Sequence, residues 1–119
     1  MVATRIITHQ NFIGGQWVDS VTGLTYQVHN PARTGQVVGE FQTSGAEDAL
    51  KAVAAAKDAL AVWANTPAPA RSNVIYKALQ IMGRRADEMA QTITTEEGKP
   101  IADAQGEVKR AMNLSLIHI

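Results

Sequence analysis

The 119-residue chain contains no cysteine. Within these residues that excludes disulfides, thiolate metal sites and a cysteine nucleophile. Aromatic side chains are scarce, at two Trp, two Tyr and two Phe. No basic stripe flanks them, so Trp17, Trp63 and Tyr76 are expected as core anchors rather than as platforms for stacked bases. Neither sign of charge is in excess: 11 Lys plus Arg face 11 Asp plus Glu. A nucleic-acid module would carry a basic footprint, and none is visible. No block of like charge marks a tail. No apolar run approaches the ~18–20 residues that cross a bilayer. The N-terminus offers Arg5 and His9 but no apolar core before a small-residue cleavage site. The expectation is a cytoplasmic protein with no membrane or nucleic-acid partner, long enough for one domain. There is no internal repeat and no low-complexity segment.

What the sequence does have is an amphipathic helix, predicted from about Ser44 to Ala64. Ser44 is placed as its N-cap and Glu47, three residues on, as the partner of a capping box. Ala46, Ala49, Leu50, Val53, Ala56, Leu60 and Trp63 recur at spacings of three and four, which sets them on one face. Glu47 and Lys51 are four apart in the favourable order, worth ~0.2–0.5 kcal/mol. The alanines give high helix propensity but a thin apolar face. Such a face is expected to lie close against a sheet or other helices.

Ahead of this helix, residues 1–10 read as a flexible lead-in. Phe12-Ile13, Gly14-Gly15 and Gln16-Trp17-Val18 read as a hairpin, with the two glycines supplying the positive φ of a tight turn. Leu24 to His29 and Gln36 to Phe41 are further strands, separated by Asn30-Pro31 and Thr34-Gly35. Val37, Val38 and Phe41 are expected to be buried. After the helix, Asn65 to Pro69 breaks the chain, and Pro69 suits the first turn of a second helix. Its stripe is Val74, Ile75, Ala78, Leu79, Met82 and Ala86, with a close contact expected at Gly83. Asp87 is placed as the cap of a third helix carrying Met89, Ala90 and Ile93. Gly98 ends it as a C′ residue, and Pro100 starts a fourth helix with Ile101, Ala104, Val108 and Ala111 or Met112 inward. The plan is α/β: short N-terminal strands with a hairpin, then four helices. Three strands cannot make a full sheet, and the helical faces are short of large side chains. A piece lacking its partner surface fits this better than a finished domain.

Gly98-Lys99 resembles the end of a phosphate-binding loop, but the upstream glycine is missing and Pro100 stands where a Ser or Thr is needed. Gly14-Gly15 lacks the spaced glycines of a dinucleotide fingerprint and precedes no helix. Glu96-Glu97 and Asp103 with Glu107 could pair as catalytic carboxylates, yet solvated helix faces produce such pairs constantly. His9, His29 and His118 have no metal-ligand spacing. No catalytic, cofactor-binding or metal residue is assigned.

Several stretches in order carry a resemblance. They are Asn11-Phe12-Ile13-Gly14-Gly15-Gln16-Trp17, Val28-His29-Asn30-Pro31-Ala32 and Val37-Val38-Gly39. The Ala-rich helix ending in Trp63, the stretch around Arg71, Glu96-Glu97-Gly98-Lys99-Pro100 and Gly106-Glu107-Val108 follow. Together, over residues 11–113, they resemble the N-terminus of an NAD(P)-dependent aldehyde dehydrogenase. The Glu-Glu-Gly-Lys-Pro and Gly-Glu-Val-Lys-Arg wording is similar to the subgroup acting on 2-oxoglutarate semialdehyde. The resemblance implies the first part of a doubly wound cofactor-binding domain, in a parent about four times longer. It also implies a cysteine nucleophile, a glutamate base, NAD or NADP as cofactor, an aldehyde substrate and a dimeric or tetrameric parent. The nucleophile, the base and the main cofactor contacts would lie beyond residue 119. Some members hold a structural monovalent cation near positions matching Gln27, Val28 and Glu96, although few oxygens are supplied there.

Residues 114–119 depart from that pattern. Leu114-Ser-Leu-Ile-His-Ile119 reads back into codons as the end of a transposase-based sequencing adaptor, so a non-native tail is expected. The chain is then expected to be an inactive enzyme fragment, marginal in stability, associating or molten. The alternatives are a non-catalytic helical interaction or assembly module built from a dehydrogenase N-terminus, and a small binding protein of unrelated function.

Overall fold

A computed structural model describes residues 6–117. Among the described residues five short strands precede four helices: β1 Thr8–His9, β2 Asn11–Ile13, β3 Gln16–Val18, β4 Thr25–His29, β5 Val37–Gln42, α1 Ala46–Asn65, α2 Ala68–Arg84, α3 Ala86–Glu97 and α4 Ile101–Ile117. The chain divides into two compact units. One takes the residues up to Asn30 and Thr34–Ala64; the other takes Pro31–Arg33 and the residues from Asn65 onward.

In the first unit β2 and β3 pair antiparallel, with Ile13 opposite Gln16 across the two-residue turn. Gly14 and Gly15 both have positive φ, 60° and 81°. That matches the mirror-image turn whose twist suits a hairpin. The second sheet has the order β1-β5-β4. β4 runs antiparallel to β5, with an irregularity between Val28 and His29. β1 pairs in parallel with β5, Thr8 opposite Glu40 and His9 opposite Phe41. This corrects the expected lead-in: residues 1–5 lie outside the described residues, but Thr8 and His9 form a strand. A two-residue strand has too little pattern to read from sequence, and the pairing spans more than thirty positions.

The first unit buries little apolar surface. Its buried side chains are polar: Ser20, Asn30 and Asp48. Each is bonded. The Ser20 N–H donates to Gln42 Oε1 at 2.8 Å, and Asn30 Nδ2 donates to Gln36 Oε1 at 3.0 Å. Val37, Val38 and Phe41, expected inside, are only half-buried. Phe41 stacks on His9 with ring centroids 4.8 Å apart.

α1 starts at Ala46, one residue later than the expected N-cap allows. Gly45 is the cap, its carbonyl accepting the first helical bond from the Ala49 N–H at 3.2 Å. Asp48, not Glu47, reaches back: its Oδ2 accepts the Gly45 N–H at 2.9 Å. Ser44 instead accepts a bond from Asn11 Nδ2 at 2.8 Å. Glu47 turns outward to Lys51, 3.1 Å away. The buried side of α1 is therefore Asp48, with Ala55 half-buried. A Cβ on Gly14 would meet the Ala55 Cβ at 3.8 Å, so the hairpin turn lies against small residues. The large residues of the expected inward stripe stay exposed: Leu50 at 68%, Val53 at 64% and Leu60 at 61%. The reason is geometric. Among the described residues this unit meets the helix at the hairpin turn by Gly14 and at the Val21 backbone through Asp48, narrow contacts that the small stripe fits and that leave the large one uncovered.

The second unit holds the apolar core. Ala90, Ala104 and Val108 are buried, with Ala86, Met89, Ile93 and Met112 packed around them. Leu79 of α2 is buried as expected, whereas Val74 and Ile101 are exposed. Alanine at both central positions lets α3 and α4 approach closely. α2 passes into α3 through Arg85, whose N–H still bonds the carbonyls of Ile81 and Met82. Arg85 occupies the N-cap position without a side-chain cap, so Asp87 lies in the first turn instead of capping it. Gly83 faces Met112, whose Cε would stand 3.5 Å from an added Cβ.

Candidate functional site

Two clusters of charged groups are built by the fold, one per unit. The first is the start of α1. Asp48 accepts the Val21 N–H on Oδ1 at 2.9 Å and the Gly45 N–H on Oδ2 at 2.9 Å. It thereby ties the turn after β3 to the helix N-terminus, where negative charge is favoured. The Gly45 N–H first and the Val21 N–H second hold the carboxyl below the ordinary carboxylate range. Asn11, Phe12, Ile13, Gly45, Ala49 and Ala52 line an open cleft of about 350 Å³ beside it. Both carboxylate oxygens are already committed to backbone donors, so this acid is structural. The capping-box pattern points to Ser44 and Glu47, one position short of the pair that the fold uses. The signal was a Gly-x-x-Asp spacing at the same place.

The second cluster is the α3–α4 corner. Gly98 ends α3 with φ 74°, its N–H bonded to the Thr94 carbonyl at 2.9 Å. Pro100 accepts from the Ala104 N–H at 3.2 Å and opens α4. Lys99 between them places Nζ 2.6 Å from Glu97 Oε2 and 2.6 Å from Glu107 Oε1. The Glu107 bond first, then the Glu97 bond, raises the Lys99 pKa above its ordinary value. The expected C′ role of Gly98 and first-turn role of Pro100 hold. The acids read as solvated pairs are rearranged: Glu97 and Glu107 converge on one lysine across the helix break, a grouping not visible from helical spacing.

The remaining candidates stay apart. His9 stacks on Phe41, and His29 Nδ1 lies 2.9 Å from the Thr34 carbonyl. His118 lies outside the described residues. Among the described residues no three His, Asp or Glu side chains gather as metal ligands. Gln27, at one position matched to the family's cation, donates to Glu40 Oε1 at 3.2 Å. Gln27 and Val28 belong to the first unit and Glu96 to the second, so neither unit by itself supplies that donor set. Trp17, Trp63 and Tyr76, expected as anchors, are 66%, 44% and 53% exposed. Trp17 leans on Phe12 with centroids 5.0 Å apart. No helix among the described residues is long and apolar enough to cross a membrane.

Among the described residues, short strands followed by four helices, with charged groups that staple neighbouring elements, define an α/β architecture. The aldehyde dehydrogenase family profile matches residues 17–117. The chain belongs to the aldehyde dehydrogenase family. It is 39% identical over 112 residues to the malonate-semialdehyde dehydrogenase of Bacillus pumilus, covering 94% of this chain and 23% of the relative. It is 42% identical over 105 residues to the alpha-ketoglutarate semialdehyde dehydrogenase of Haloferax volcanii, covering 88% of this chain and 22% of the relative. The crystal structure of an NAD-dependent aldehyde dehydrogenase from Sinorhizobium meliloti superimposes with a TM-score of 0.87 at 33% identity. That match covers 93% of this chain and 22% of that one. The chain thus spans under a quarter of the length of these relatives.

Proposed function

We propose that this chain is the N-terminal part of an NAD(P)-dependent aldehyde dehydrogenase that oxidises an aldehyde to a carboxylic acid. The single observation behind this is that 94% of the chain aligns with only 23% of a semialdehyde dehydrogenase. The names of two such relatives favour a short aldehyde that already bears a carboxylate. In the parent, NAD(P)+ would supply the hydride acceptor, a cysteine would be the nucleophile toward the aldehyde carbon, and a glutamate would activate the water that releases the acid. The cysteine and the glutamate that activates water belong to the remaining length. What residues 11–113 contribute is a scaffold: the hairpin and sheet, the Asp48 staple and the α3–α4 corner. Residues 114–119 are read as a non-native tail, and the parent as a cytoplasmic dimer or tetramer.

The open large side chains of α1 support this reading over a self-standing assembly module, since they fit a helix awaiting the rest of its domain. The test is a chimera. Residues 11–113 are joined to the remaining length of the Bacillus pumilus relative, and reduced nicotinamide is followed by absorbance with malonate semialdehyde. Aldehyde-dependent reduction by the chimera, and none by the 119-residue chain, is the expected result. A soluble, folded chimera without activity would count against the scaffold role. Turnover by the 119-residue chain alone would overturn the fragment reading.

A further inference from the structure

We propose that Lys99 is an ionic latch whose positive charge, rather than its length, keeps the end of α3 joined to the second turn of α4. It is a conformational device of the corner and independent of the enzymatic reading. Three observations carry it. Lys99 is the only residue between Gly98, which leaves α3 in the left-handed conformation, and Pro100, which opens α4. From that position its Nζ reaches carboxylates on both helices at 2.6 Å. Its side chain is 23% exposed against 51% for Glu97 and 44% for Glu107, so the cation is the most enclosed member of the group.

The backbone at this corner has little else spanning it. The Gly98 N–H bonds back into α3 at Thr94, and the Asp103 and Ala104 N–H groups bond only to Pro100. Neither set crosses from one helix to the other. A single cation shared by two acids does cross. An isolated exposed pair contributes little because two long side chains must be ordered for one contact. Here one ordered lysine serves two acids. Removing the charge leaves Glu97 and Glu107 facing each other without a counter-ion.

The test uses the chimera of residues 11–113 with the remaining length of the Bacillus pumilus relative, shown to be folded by circular dichroism, and needs no substrate. Acetylation by an N-hydroxysuccinimide ester, followed by mass spectrometry, compares Lys99 with Lys57 and Lys77. Lys99 is expected to react about 2- to 5-fold more slowly in native buffer, with the difference lost in concentrated urea. Equal native rates would overturn the proposal. Amide exchange in variants supplies the second arm. Lys99→Gln is expected to speed exchange at Gly98, Asp103 and Ala104, and Lys99→Arg to leave it near the parent rate. If Lys99→Arg exchanges as fast as Lys99→Gln, shape and not charge holds the corner. Should Lys99→Gln fail to fold, the labelling comparison on the unsubstituted chimera still decides.

Discussion

Replacing Gly98 by alanine should open the α3–α4 corner, and two separate costs can be worked from the structure. Gly98 has φ 74°, a left-handed conformation. A side chain there costs roughly 1–2 kcal/mol on conformational grounds. The second cost is space. An added Cβ would lie 3.0 Å from Pro31 Cγ, 3.2 Å from the Ala32 backbone nitrogen and 3.3 Å from Ala32 Cβ. A backbone nitrogen cannot rotate aside, so residues 31–33 must shift, and overpacking of this kind costs about 1–3 kcal/mol. The combined loss of about 2–5 kcal/mol is a large share of the stability of any small domain. Urea unfolding followed by far-ultraviolet circular dichroism measures it. Gly23→Ala is the reference, because φ there is 65° and an added Cβ meets nothing within 4 Å; only the conformational cost applies. Gly98→Asn separates the two causes. Asparagine tolerates the left-handed region but still carries a Cβ, so it should recover part of the conformational ~1–2 kcal/mol and keep the steric ~1–3 kcal/mol. If Gly98→Asn matches the unsubstituted chain, the packing against Pro31 and Ala32 contributes nothing and the argument fails.

The other expectations concern helices and the Asp48 staple. Gly83→Ala should stabilise the chain by about 1 kcal/mol, since helix propensity improves and the new methyl meets Met112 Cε at 3.5 Å, an ordinary contact; a lower urea midpoint would contradict this. Leu50→Lys and Val53→Lys, at positions 68% and 64% exposed, should change the stability of this chain by no more than ~0.5 kcal/mol while reducing its binding of a hydrophobic dye. A marked loss of stability would mean that the stripe is already covered. Asp48 sets an acid sensitivity. Its pKa is lowered on folding by the Gly45 and Val21 N–H bonds, so its contribution is complete above the ordinary carboxylate pKa and disappears as pH falls through the lowered folded value. Asp48→Asn should flatten that limb of the stability profile, measured by unfolding between neutral and acid pH. Sequencing the source DNA past Asn113 should show a different continuation from Leu114–Ile119; unbroken genomic DNA encoding those six residues would remove the adaptor explanation.

Local chemistry made much of the chain readable. The two glycines at 14 and 15 have few uses besides a hairpin turn, and both adopt the positive φ that their pairing implies. Gly98 and Pro100 mark a helix end and a helix start for reasons internal to each residue. The stripes of α3 and α4 converge at Ala90, Ala104 and Val108 because those helices are adjacent in the chain and separated by a tight corner. The order and wording of several motifs carried the family, which no single residue could.

Sequence by itself determined the hairpin turn at Gly14-Gly15, the end of α3 at Gly98 and the start of α4 at Pro100, because those depend on a residue and its near neighbours, whereas the caps of α1 and α3 and the strand β1 did not follow from it. Tertiary structure alone decided which faces are used. Periodicity shows that α1 has a large apolar stripe, but the stripe is buried only if something broad arrives to cover it. In its absence the small-residue side holding Asp48 and Ala55 takes the contact. The parallel pairing of β1 with β5 and the meeting of Glu97, Lys99 and Glu107 also escaped the sequence, the first because its partners are distant in the chain and the second because a helix break resets the spacing rule that would have linked them.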